Sequence, residues 1–296
     1  MTLSFSILRD GVQHDLSDGA TYLLTGLAGL GMPPLTRLTE RGPLQHGESD
    51  LGFRLRGRRV QMVLMVKAGT PDEWLSRRQE IVSLFRPGDE PAALRVATDS
   101  FTRQLDCHFS GGLDMPPSKD FATRWIPLDL ELYAPDPTWY DPVGVALVFP
   151  LGGGGAGTPV PLTVPFTVGT SSANLSQQVV YGGTWDAQPI ITLRGPMTGV
   201  TITNTTAGAK LDLSALSIAS GEDYVIDCRY GYKTIKRASD GANGIQYLSL
   251  DSDLATFAIG AAPNVPGGIN SLQVVAGGIT AVSMVYVQFH TRFVGI

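Results

Sequence analysis

The amino-acid sequence predicts a mainly β chain of two domains with one α-helix. Three observations point there. The 296 residues include 35 Gly and 20 Pro, a supply of turn residues that suits many short strands. Short apolar runs recur along the chain, several alternating with polar residues and most bounded by Gly, Asn, Asp or Pro. One segment, residues 70–86, joins helix start and stop signals to a helical apolar face.

Taken in order, the opening MTLSFSILRDGVQHDLSDG alternates apolar and polar residues. It meets Arg9 and Asp10 before any apolar run long enough for a signal peptide, so no export signal is expected. Arg59 to Lys67 reads as a strand that turns Val60, Met62, Leu64 and Val66 to one face. In TPDEWLSRRQEIVSLFRPG, Thr70 is the N-cap, Pro71 the first helical residue and Glu73 the partner in a capping box. Trp74, Ile81, Val82 and Phe85 are expected on its buried face, and Pro87-Gly88 ends it. Strands follow at Ala93–Thr98, Thr102–Ser110 and Thr123–Tyr133. Strands, helix, strands suit an α+β or β-sandwich domain.

The second half carries no comparable helix signal. Its expected strands are Gln178–Tyr181, Pro189–Arg194, Val200–Asn204, Lys210–Leu213, Asp223–Asp227, Gln246–Leu250, Ala255–Ile259, Ser271–Val275 and Ala281–Phe289. That spacing, with turn residues between, predicts a sandwich or jelly roll. VFPLGGGGAGTPVPLTVPFTVG, Val148 to Gly169, combines freely rotating glycines with extended prolines and reads as a linker. The expected domains are therefore 1–147 and 171–296, joined by residues 148–170.

Charge separates the halves. Of 22 Lys+Arg and 27 Asp+Glu, 15 and 19 precede Val143, leaving 7 and 8 for the rest. So sparse a surface suits either glycan binding or packing against other subunits. The net charge of −5 argues against phosphate-driven nucleic-acid binding, which calls for a basic stripe. The longest apolar runs, Val60–Val66 and Ala281–Val287, fall far short of the roughly 20 residues of a membrane helix. Cys107 and Cys228 are read as buried free thiols.

Catalytic patterns are not found. His14, His46, His108 and His290 share no metal-ligand spacing with Cys, His or paired carboxylates. A Gly-x-Ser-x-Gly elbow and a phosphate loop are both missing, and GGGGAG at Gly152–Gly157 leads into Thr-Pro. Asp251 and Asp253, two apart in LDSDL, would share a face of a strand, but a solvated turn outweighs a glycosidase pair. RLRGRR, Arg54 to Arg59, reads as a charged strand edge. Tyr181, Trp185, Tyr230 and Tyr232 are either core aromatics or sugar-stacking platforms; for Tyr230 and Tyr232 the two readings balance.

In combination, several segments resemble siphophage distal tail proteins. They are RVQMVLMV (Arg59–Val66), RRQEIVSLFRPG (Arg77–Gly88), LRV (Leu94–Val96) and PLDLELYAPDPTWYD (Pro127–Asp141). WDAQPIITLRGPMTGVTITNTTAG (Trp185–Gly208), GEDYVID (Gly221–Asp227), NSLQVV (Asn270–Val275) and VSMVYVQFHTRFVG (Val282–Gly295) add to these. Together they extend over nearly the whole chain. The GGGGAG run and AAPNVPGGIN (Ala261–Asn270) are longer and richer in glycine than the family pattern.

The resemblance implies a structural, non-enzymatic protein of the virion tail tip, assembled in the bacterial cytoplasm. It implies an N-terminal ring-forming domain and a galectin-like C-terminal β-sandwich. It further implies a homohexameric ring with the tail-tube protein above, a tail-associated hub or fibre protein below, and a receptor-binding protein as a further partner. No cofactor, metal, membrane or sequence-specific nucleic acid is implied.

Within that picture ERGPLQHGESDLG, Glu40 to Gly52, is a hairpin reaching an adjacent ring or the tube lumen. Glu48, Asp50 and the trio Arg54, Arg56 and Arg58, expected on one strand face, become ring-interface or lumen candidates. APDPTWYDP, Ala134 to Pro142, becomes a domain seam: Pro135 and Pro137 end a strand, while Trp139 and Tyr140 cover its edge or pin the linker. The alternative function is a carbohydrate-binding sandwich for host-surface attachment, with Tyr230 and Tyr232 as contacts. An enzyme ranks third.

Overall fold

The computed structural model describes residues 3–113, 124–153 and 172–296. The chain divides into two compact units, Met1–Pro142 with Phe293–Ile296, and Val143–Arg292. Most of the expected linker, including most of Gly152–Gly157, lies outside the described residues.

The first unit opens with β1 (Ser4–Arg9) and β2 (Val12–Asp15), a hairpin. Its two turn residues, Asp10 and Gly11, have φ of 50° and 78°, the left-handed pair that a tight hairpin requires. There follow β3 (Tyr22–Ala28), β4 (Leu35–Glu40), β5 (Ser49–Leu55), β6 (Arg58–Ala68) and α1 (Pro71–Leu84). β7 (Ala92–Ala97), β8 (Thr102–Gly112), β9 (Arg124–Ala134) and β10 (Trp139–Pro150) complete the series.

These strands make two antiparallel layers that share β8. One runs β2-β1-β7-β8, with Tyr140 of β10 opposite Gln104; the other runs β3-β6-β9-β8. Residues Thr102–Cys107 of β8 pair with β7, and His108–Gly112 pair with β9. An irregularity between Phe109 and Gly111 bends the strand, as bulges do. Ile7, Leu94, Val96 and Leu105 from one layer join Val60, Leu64, Val66, Leu128 and Leu132 from the other in one core.

α1 starts as its sequence dictates. Thr70 accepts a hydrogen bond from the Glu73 amide, and Glu73 Oε2 accepts from the Gly69 amide, so the box closes one residue earlier than the usual pattern. Trp74, Ile81 and Phe85 are buried, whereas Val82 is exposed. The expected face was one residue too wide. Val82 follows Ile81 by a 100° rotation about the helix axis, and the core covers only one side.

In the second unit β11 (Ser172–Val180), β12 (Ile190–Arg194), β13 (Met197–Asn204) and β14 (Ala209–Ile218) are followed by β15 (Asp223–Asp227) and β16 (Thr234–Arg237). β17 (Ile269–Gly277) and β18 (Met284–Phe293) close the series. Two sheets, β11-β17-β13-β14 and β16-β15-β12-β18 continued by the later part of β10, enclose a core. Leu193, Ile202, Leu213, Ile226, Val274 and Val287 lie in it. The expected strand Gln246–Leu250 is instead a 3-10 turn at Ile245–Tyr247. Ala255–Ile259 gives a single bridge, Ala187 to Ile259. Here Asn243 and Asp253 accept main-chain amides of Ile245 and Lys210, a local alternative to ladder pairing. β16 was not expected.

Candidate functional site

The hairpin foreseen at Glu40–Gly52 is present as β4 and β5, a two-stranded sheet of its own. Its loop is braced by Gln45, which accepts from the Gly42 amide at 3.0 Å and donates to Ser49 at 2.9 Å. Arg37 pairs with Asp50 at 2.9 Å and lies 5.7 Å from the Phe53 ring centroid. Leu35, Leu44, Leu51 and Phe53 are exposed, Leu44 at 96%. A lone hairpin is marginally stable in water, and among the described residues Leu35, Leu44 and Leu51 stay exposed on it.

Arg54, Arg56 and Arg58 do not share a strand. Arg54 is exposed on β5; Arg56 lies exposed in the connection to β6 and donates to Thr36 Oγ1 at 2.6 Å. Arg58 begins β6 and is buried. Its place follows from strand phase: alternation along β6 sets residue 58 on the same inward face as Val60 and Met62. An intersubunit salt bridge from Arg58 is thereby ruled out. Glu48 is exposed beside Ser49, and Asp50 is already engaged by Arg37.

Arg58 instead gathers four main-chain carbonyls. It donates to Gly29 at 2.6 Å and Pro137 at 2.7 Å, and also to Gly31 and Val294. Burial pushes the guanidinium down to about 10, so it stays charged near neutral pH, held by carbonyl dipoles. Gly29 has φ of 92°, and a Cβ there would lie 2.1 Å from the Arg59 carbonyl oxygen, so glycine is required.

The APDPTWYDP stretch supplies much of this arrangement. β9 ends at Ala134, just before Pro135; Asp136 accepts from the Thr138 amide and hydroxyl, tightening the turn. Trp139 is buried and donates through Nε1 to Leu30. The Tyr140 hydroxyl donates to Asp106 at 2.6 Å and accepts from Gln104 at 2.7 Å. The C-terminal residues return to the same unit: Arg103 lies 3.6 Å from the Phe293 ring centroid, and Ile296 donates to Leu30. Sequence reading had assigned them to the second domain, because nothing local distinguishes the end of β18 from its middle.

In the second unit Tyr230 and Tyr232 project from the loop after β15 and are 70% and 59% exposed. Each ring has a cation of its own chain beside it: Lys233 is 4.9 Å from the Tyr230 centroid and Arg229 is 4.4 Å from that of Tyr232. Arg229 is held by Asp227 through Nε and Nη2, the shortest contact being 2.7 Å. Tyr181, by contrast, is a core residue that donates to the Trp185 carbonyl and accepts from the Arg292 amide.

The carboxylates in LDSDL lie in a turn rather than a strand. Asp251 binds Lys210 and Ser249, and Asp253 accepts the Lys210 amide. Lys210 and Ser249 pull Asp251 down to about 2, away from the raised value that a general acid needs. Among the described residues no group of three or more His, Cys, Asp or Glu is placed to hold a metal, and no helix is long and apolar enough to cross a membrane.

No family model and no curated protein matches the chain. Among solved structures, the Dit protein of phage SPP1, described as a paradigm of the hub adsorption apparatus in phages infecting Gram-positive bacteria, matches with a TM-score of 0.64 at 15% identity. That alignment covers 98% of this chain and 99% of that one. The phage P2 baseplate in its activated conformation with Ca aligns at 9% identity with a TM-score of 0.48, covering 98% of each chain. The first likeness establishes the fold, over nearly the full length of both chains.

Proposed function

We propose that this chain is a structural component of a phage or prophage tail tip, located in the virion. In this reading six copies form a ring that joins the tail tube to the central hub or fibre and serves as a platform for baseplate assembly. The observation that carries it is the end-to-end fold likeness to the SPP1 Dit hub protein. The β4–β5 hairpin supports it, because its exposed Leu35, Leu44 and Leu51 gain from burial against a neighbouring copy. Of Arg54, Arg56 and Arg58, the first two are exposed and open to contacts between copies. Light scattering of the full-length protein over rising concentration tests the proposal: a mass of six chains is expected, lowered by the double change Arg54→Glu and Arg56→Glu.

Carbohydrate binding for host-surface attachment is the second reading. The exposure of Tyr230 and Tyr232 favours it, since an exposed aromatic ring can stack on a sugar. Glycan-array binding that disappears on Tyr232→Ala would support it.

A further inference from the structure

The second unit carries a cavity of about 280 Å³ on the outward face of β18 and its neighbours. Gln288 is the register partner of Ile190. Alternation along β18 sets Gln288, His290 and Arg292 on one face, while Val287 and Phe289 are buried on the other. Gln188 and Arg229 add two more polar walls. Gly144 faces His290, where a Cβ would come to 3.4 Å of the imidazole, so any larger residue would narrow the space.

Among the described residues the lining is rich in donors and contains no carboxylate. Arg229, Arg292, His290, Gln188 and Gln288 supply its polar lining. Asp227, the acidic neighbour of Arg229, is bound by Nε and Nη2 of that residue, leaving Nη1 with no acceptor among the described residues. Such a set is matched by a ligand that brings negative oxygen atoms, because arginine binds carboxylate and phosphate through paired N–H groups. The volume, about 280 Å³, lies just below the roughly 300 to 1,000 Å³ of drug-sized ligand sites, which suits a single monomer unit.

We propose that this cavity binds the anionic group of a single acidic polyol unit, such as one repeat of a glycopolymer bearing carboxylate or phosphate. The site lies within the second unit and does not depend on the tail-tip reading.

Calorimetric titration of the full-length protein with glucuronate and with sn-glycerol 3-phosphate tests it, with glucose and glycerol as the neutral counterparts. Saturable binding of at least one anion, weaker in added salt and absent for its neutral counterpart, is expected. Binding of glucuronate alone assigns a carboxylate ligand, and binding of glycerol phosphate alone assigns a phosphate ligand. Gln288→Glu, at an exposed position, sets a carboxylate in the wall and should lower affinity about tenfold or more, as should Arg292→Gln. The proposal is overturned if neither anion binds saturably, if the neutral compounds bind as well, or if Gln288→Glu leaves affinity unchanged.

Discussion

Arg58 and Trp139 meet in the interior of the first unit, the guanidinium 5.7 Å from the indole ring and both side chains out of solvent. The arginine bonds to carbonyls from three separate stretches, around Gly29, at Pro137 and at Val294. A single cation thus ties the turn after β9 and the C-terminal residues to one point.

Replacing Arg58 by Met would remove every donor and leave buried carbonyls unpaired, a loss of about 3–5 kcal/mol. Lys would recover only part, since an ammonium lacks the planar fork that reaches divergent acceptors. Arg59→Met is the control: Arg59 faces outward and pairs with Glu131 at 2.7 Å, a surface contact worth about 0–1 kcal/mol. Urea denaturation of the three variants should rank Arg58→Met as least stable and Arg59→Met near wild type. Equal losses at 58 and 59 would show that the carbonyl cluster contributes nothing special.

The helix offers a second contrast. Ile81→Ala empties a buried site and should cost about 2–5 kcal/mol, whereas exposed Val82→Ala should change stability by no more than about 0.5 kcal/mol. Thermal melts of the two variants read the difference, and a large loss at Val82 would mean that an unseen partner covers that face.

How much was legible is clear from these residues. The capping residues around Thr70 and the alternation from Val60 to Val66 could be read because each is local, with its partners within a few positions. The same alternation extended two residues back would have placed Arg58 inside, but its charge outweighed its phase. Asp10-Gly11 is likewise a local hairpin signal, its two residues taking the left-handed conformation that the turn needs. What no local pattern could supply was the return of Phe293–Ile296 to the first unit, or the approach of Arg229, in the loop after β15, to Gln288 and His290 of β18. Those depend on pairings between segments far apart in sequence.

Cys107 and Cys228 are free and buried, and burial pushes each thiol up to about 12. At pH 8 the thiolate would be about one part in ten thousand of each. Neither should react with a disulfide reagent while the protein is folded, and both should react in denaturant. Rapid labelling of either in the folded protein would contradict the packing around it.

Acid should loosen the loop that carries Tyr230 and Tyr232. Burial acts to raise the Asp227 carboxyl, but hydrogen bonds from the Arg229 side chain and amide outweigh it and hold the group below 3.8. A depressed carboxyl contributes stability that is complete above the unfolded value, near pH 4, and is lost as pH falls through the folded value. Asp227→Asn should therefore lower the urea midpoint more at pH 7 than at pH 3. An equal loss at both pH values would remove the carboxylate from the explanation.

The six-copy ring is tested most directly by negative-stain electron microscopy of the full-length protein at concentrations above those at which light scattering reports association. Closed rings of six-fold symmetry with a central hole are expected, and they should fail to form when Leu44 and Leu51 of the hairpin are both changed to Ser. Closed assemblies of another symmetry, or single particles at every concentration, would contradict the proposed ring.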